Sequence, residues 1–216
     1  MSTSARSTMS ATEVVPAEPA APPGDPAMIG VPTFLVGSIA LGLNLVGYVD
    51  QGVVGSPIAI IALATGIGQV IAAVWAASLA QNAVAGIFGI FSGFWLSYAA
   101  LVFGLLHHWY GLTAEATTPT VKMFLLAWLV LIVLLTLVTL RLPLAFTILF
   151  VLIDLALLFV LLAYANAGAA GADSGLLTIG GVLVFCFCAV GAYLFADAAA
   201  GATGGPRLPM GRPVLS

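Results

Sequence analysis

Charge is what this chain has least of. Only 6% of its 216 residues are Asp, Glu, Lys or Arg, against roughly a quarter in ordinary soluble domains, so it cannot cover itself with water-facing side chains. Basic residues are the scarcer sign, five against eight acidic, for a net charge of -3. That balance excludes a nucleic-acid partner, which needs a Lys/Arg-rich face. Cysteine is nearly missing. Cys186 and Cys188 stand two apart in an apolar run, point about 200° away from each other on a helix, and read as small buried thiols rather than a redox pair or metal ligands. The two histidines, His107 and His108, bring no Cys or carboxylate pattern with metal-site spacing. No nucleophile elbow, Walker loop, zinc-protease helix or dinucleotide glycine pattern occurs in the sequence. The chain offers no enzyme signature, and neither a cofactor nor a metal is expected.

What it has is apolar length. Hydrophobic residues make up 62% of the sequence and gather in runs close to the 20 or so residues that a helix needs to cross a bilayer. Lipid admits only helices or closed barrels, and no alternating strand pattern is present. The expectation is an all-α integral membrane protein, a bundle of six transmembrane helices over Val31 to Val49, Pro57 to Leu79, Ala83 to Leu106, Val121 to Leu140, Pro143 to Tyr164 and Gly175 to Ala198. Pro32, Pro57 and Pro143 are read as helix openers. Residues 1–29, rich in Ser, Thr, Ala and Pro, form an expected disordered tail with no apolar stretch long enough for a signal peptide. Residues 30–200 make the membrane domain and 201–216 a short C-terminal tail. An even number of spans puts both termini on one side. Arg6, Arg141, Arg207 and Arg212 collect there and only Lys122 lies opposite, so the positive-inside bias places both tails in the cytoplasm.

The third span carries the clearest internal pattern, "GIFSGFWLSYA" at 89–99. At 100° per residue, Ala85, Gly89, Gly93 and Ser97 form a small-residue ladder suited to close helix packing in lipid. Phe88, Phe91, Trp95 and Tyr98 fall on another face, which meets either lipid or a lumen. Their mid-span depth favours the lumen, because Trp and Tyr prefer the headgroup level when they face lipid. In the second span, Thr65, Gln69, Ala72 and Ala76 share one narrow stripe. A Gln amide in hydrocarbon needs partners, so the stripe either makes interhelical hydrogen bonds or lines a wet path. With Ser38, Asn44 and Ser92, these residues form a sparse set of neutral polar groups at membrane depth.

Asp154, in "FVLIDLALLF", stands near the middle of the fifth span, where an ionised carboxylate is costly unless paired or wetted. Two readings stay open: an acid hydrogen-bonded to a neighbouring helix or across a subunit contact, and a proton-responsive group beside a pathway. His107 and His108, beside Trp109 and Tyr110, read as interfacial anchors, with a pH-sensing mouth as the alternative.

Residues 66–97, "GIGQVIAAVWAASLAQNAVAGIFGIFSGFWLS", resemble the acetate uptake transporter family, also called succinate-acetate or YaaH-like transporters. A Gln in the second span is followed without gaps by an aromatic-rich motif in the third, here Phe91-Ser92-Gly93-Phe94-Trp95-Leu96-Ser97. The "TLR" before the fifth span and the "RLPMGRP" ending agree, so the resemblance runs from about 31 to 212. It implies a hexameric ring in which each subunit holds its own narrow pore for small monocarboxylates such as acetate, and for succinate in some members. It also implies a constriction at the positions matching Ser38, Phe91 and Leu155. Independently of the resemblance, Asn44, Thr65, Gln69 and Ser92 are the neutral polar groups expected to line such a pore. The expected function is a channel or proton-linked transporter for small carboxylates. The alternatives are a pore for urea, an amide or ammonia, or a non-transporting oligomeric scaffold. The expected partners are the lipid bilayer, the small solute and further copies of the chain.

Overall fold

A computed structural model describes residues 24–168 and 171–215. The expected disordered tail lies, for residues 1–23, outside the described residues. The first helix, α1 (Ala27–Leu45), opens behind Pro26, with Asp25 Oδ1 accepting from the Ala27 amide at 2.9 Å. Pro32 therefore sits inside the helix instead of opening it, and the expected tail boundary at residue 29 falls within α1. The other spans are α2 (Ile60–Ser78), α3 (Asn82–Leu106), α4 (Ala114–Thr139), α5 (Leu144–Ala165) and α6 (Ser174–Ala202). The α4 helix begins ahead of the expected Val121 and takes in Glu115 in its first turn, where a carboxylate suits the helix dipole. The α6 helix is capped by Asp173, whose Oδ1 accepts from the Leu176 amide at 2.8 Å.

The shortest helices have 19 residues and so reach about 28 Å, close to the hydrocarbon thickness of a bilayer. The chain is an all-α, multi-pass membrane protein. Links as short as those joining α2 to α3 and α4 to α5 force antiparallel hairpins, and both pairs pack directly. The α6 helix lies between α1 and α5, and α1 also packs on α2. The α3 and α4 helices meet through the rings of Phe94 and Trp128, 5.5 Å apart. The six helices thus surround an interior in chain order. Outward, Leu63, Val74, Met123, Val130, Leu134 and Leu137 are exposed, an apolar belt that water does not tolerate.

Two glycines mark a close contact between α1 and α2. A Cβ added at Gly37 would collide with the Thr65 hydroxyl, and one at Gly68 would collide with Thr33. Thr65 belongs to the opening stretch of α2, Ile60–Ile67, which is wound as a π-helix. Such segments are rare and cluster at functional sites. The ladder expected to pack closely on α3 is more open: Gly89 is exposed and a Cβ there would meet Ala73 at an ordinary 3.8 Å, while Gly93 faces Trp128 at 3.3 Å. Ser97 is half-buried and its hydroxyl donates to the Phe94 carbonyl at 3.0 Å.

Candidate functional site

The aromatic face of α3 turns inward: Phe88, Phe91 and Trp95 are buried. Phe91 meets Phe34 of α1 edge to face, with ring centroids 5.1 Å apart, and Phe150 of α5 at 5.6 Å. Phe34 in turn lies 5.6 Å from Phe187 of α6. Four helices therefore each send one phenyl ring to the centre of the bundle. Edge-to-face rings at these spacings pack favourably, so the cluster is a defined waist rather than a loose filling.

Two cavities approach this waist from opposite ends. One, of about 80 Å³, lies toward the α1–α2 loop and is walled by Asn44, Trp95, Tyr98, Tyr164 and Phe187 among others. The second, of about 260 Å³, lies toward the chain termini, with Gln69, Phe88, Phe150, Asp197 and Arg207 in its wall. Phe34 and Phe91 belong to both walls. With roughly 30 Å³ per liquid water, the smaller cavity holds a few water volumes, on the scale of a very small solute.

The walls are almost wholly apolar, and two buried polar atoms in them have no hydrogen-bond partner among the described residues. Gln69 donates from Nε2 to the Gly30 carbonyl and lies 3.4 Å from Thr33 Oγ1, while its Oε1 is unpartnered. Trp95 Nε1 is likewise unpartnered. Charge is confined to the rim of the larger cavity, where Asp25, Asp197 and Arg207 are the only charged residues among the described residues lining either cavity. Arg207 pairs with Asp197. The hydrogen bonds to that carboxylate hold the guanidinium above its ordinary range, with the nearby Asp25 adding to the effect.

The remaining residues singled out in the sequence are placed as follows. Asn44 lines the smaller cavity and its Nδ2 donates to the Asp50 carbonyl at 3.2 Å, tying the α1–α2 loop to α1. Ser38 is fully buried but lines neither cavity, since its hydroxyl donates to Phe34 O within its own helix at 2.8 Å. Leu155 is exposed on the outer face of α5. The ring cluster is made by Phe34, Phe91, Phe150 and Phe187, while the expected constriction positions Ser38 and Leu155 line neither cavity. Thr65 is buried against α1, and Ser92 donates to the Gly66 carbonyl in the π-helical stretch at 3.1 Å. Both join helices instead of lining a cavity. Asp154 also stands apart from the cavities. Its Oδ2 lies 2.7 Å from the Thr136 hydroxyl of α4, the geometry of the neighbouring-helix reading.

Of the other features, Cys188 is the buried thiol expected, but Cys186 is exposed, because two residues along a helix turn it to a different face. His107 and His108 are exposed in the turn after α3, with His107 stacked on Trp109 at 5.7 Å. Sequence reasoning missed Phe34, Phe150, Phe187 and the Asp197–Arg207 pair. Asp197 had a signal, an acid near the end of an apolar span with an Arg in the following tail. The three phenylalanines had none, because each sits among other apolar residues.

A six-helix membrane bundle whose interior holds two cavities separated by a cluster of aromatic rings is the class that this architecture defines. Within that class the chain belongs to the GPR1/FUN34/yaaH family, whose sequence profile matches residues 9–204. This is the acetate uptake transporter assignment that the α2–α3 motif suggests. The chain is similar to the Meiotically up-regulated gene 86 protein of Schizosaccharomyces pombe, 26% identical over 172 residues, covering 77% of this chain and 55% of that protein. It therefore spans about half the length of that curated relative. Its fold is shared with the bacterial acetate channel SatP, with a TM-score of 0.73 at 21% identity, covering 87% of this chain and 99% of that one.

Proposed function

We propose that each subunit conducts small monocarboxylates such as acetate across the membrane, through the two cavities and the phenylalanine waist between them. One observation carries this reading: Phe34 and Phe91 wall both cavities, so a modest ring displacement would join them into one path. Family membership and the shared fold with an acetate channel support the substrate class. The apolar walls suit a solute with a methyl end, and the small volumes suit two or three carbons. The Gly89 ladder and the exposed apolar belt suit packing between copies, as a hexameric ring would require. The excess of arginines on the terminal side supports cytoplasmic tails, with the Asp197–Arg207 rim at the inner mouth.

The test is uptake of labelled acetate into liposomes holding the purified protein, set beside empty vesicles, with urea and acetamide as competitors for the same reading. Protein-dependent acetate flux is expected. Flux of the amides alone would move the assignment to a neutral-solute pore, and no flux of any of them would leave a scaffold.

A further inference from the structure

Resting on the carboxylate reading above, we infer that the path is built for the neutral acid and not its anion, with Trp95 Nε1–H and Gln69 Oε1 as a donor station and an acceptor station on opposite sides of the phenylalanine waist. The two atoms are the observation. Trp95 is 2% exposed and lines the smaller cavity, and its N–H has no acceptor among the described residues. Gln69 is fully buried and lines the larger cavity, and its Oε1 has no donor among the described residues.

The orientation of the Gln69 amide follows from its surroundings. The Gly30 carbonyl can only accept, and the Thr33 hydroxyl already donates to Ile29 O at 2.7 Å. Both neighbours therefore require the NH₂ end of Gln69, and the oxygen is left over. A buried polar atom without a partner is unfavourable until something supplies one. The atom that would complete Gln69 must carry a proton to donate. A carboxylate has none; a carboxylic acid does. Trp95 asks for the reverse, an acceptor, which the acid's carbonyl oxygen provides.

The charges agree with this assignment. Among the described residues the only cation in either wall is Arg207, and it is already paired with the buried Asp197, with Asp25 alongside. Among the described residues, an anion between the two stations would find no unpaired cation to offset its desolvation. A neutral acid meets one hydrogen-bond partner before the waist and another after it. The set also distinguishes acids from hydrocarbons of equal size, which would leave both stations unsatisfied.

The experiment uses full-length protein in liposomes and measures labelled acetate flux above empty vesicles while a potassium diffusion potential of either sign is imposed. Flux is expected to be indifferent to the potential, and trifluoroacetate, which stays ionised at working pH, is expected to be excluded. Trp95→Phe and Gln69→Met, which remove the N–H and the oxygen while keeping bulk, are each expected to lower acetate flux about tenfold. Flux that accelerates when the potential pulls an anion, or trifluoroacetate passing as readily as acetate, would overturn the inference while leaving the carboxylate path standing. So would undiminished flux in both variants, which covers an electroneutral route that ignores the two stations. If wild-type protein moves no acetate at any pH or potential, the functional reading itself fails and takes this inference with it.

Discussion

Arg207 reaches back across the end of the bundle to Asp197, with its Nε 2.9 Å and 3.0 Å from the two carboxylate oxygens and Nη2 also bonded to Oδ2. The Leu208 amide donates to the same carboxylate at 2.7 Å, so a nearly inaccessible acid holds the start of the C-terminal segment. Further along, Tyr193 Oη donates to Pro209 O at 2.8 Å, the Ala145 amide to Met210 O at 3.0 Å, and the Leu215 amide to Leu140 O at 2.8 Å. The segment is thereby strapped over the larger cavity, whose wall includes Arg207 and Met210.

The strap depends on charge at one end and on neutral bonds at the other. Arg207→Ala leaves the buried carboxylate with a single backbone donor, so the segment should open more often. Limited proteolysis after Arg212 is expected to run roughly tenfold faster in that variant. Tyr193→Phe, which removes one neutral bond, is expected to show a smaller increase. Equal rates in wild type and Arg207→Ala would mean that the carboxylate does not hold the segment.

Gly37 of α1 lies so close to Thr65 of α2 that a Cβ there would meet its side chain. Gly37→Ala pushes a methyl group into the Thr65 side chain, and overpacking of this kind destabilises by about 1–3 kcal/mol. A lower thermal midpoint in detergent is expected. Thr65→Ala removes the colliding hydroxyl and methyl, so the double variant should recover part of the loss, and a non-additive cycle is the measurement that shows it. Strict additivity would place the two residues out of contact.

The bundle itself was legible because membrane helices announce themselves by length and lack of charge, and every expected span exists. Helix ends were less legible. Pro32 looks like an opener from sequence, yet Pro26 with the Asp25 cap does that work, and the two signals differ only in what precedes them. The inward stripe on α2 was visible from spacing, and Thr65, Gln69, Ala72 and Ala76 are all fully buried. Which of its polar groups reach a cavity was not, since the same spacing serves a helix contact for Thr65 and a wall for Gln69. The waist was least legible. A phenylalanine in an apolar helix carries no mark of which way it faces, so Phe34, Phe150 and Phe187 needed the packing of four helices to be seen together.

Asp154 separates a packing role from a transport role. It faces Thr136 across the α4–α5 contact, outside both cavity walls. Asp154→Asn keeps an acceptor for the Thr136 hydroxyl and nearly the same shape. Acetate flux and its pH profile are therefore expected to match wild type within experimental error. A shifted pH profile with an unchanged oligomer would restore the reading in which this carboxyl responds to protons beside the path.

Phe91 is the test of the waist, because it lines both cavities and packs edge to face against Phe34 and Phe150. Phe91→Ala removes the ring and joins the two spaces, at a stability cost of about 3–5 kcal/mol for a core aromatic. If the waist sets the size limit, the variant should pass acids with longer chains, such as butyrate and hexanoate, in a higher ratio to acetate than wild type does. Phe91→Leu, with less lost volume, should fall between the two and guards against a variant that fails to fold. A ratio unchanged in both variants, with acetate flux retained, would place the limiting constriction elsewhere along the path.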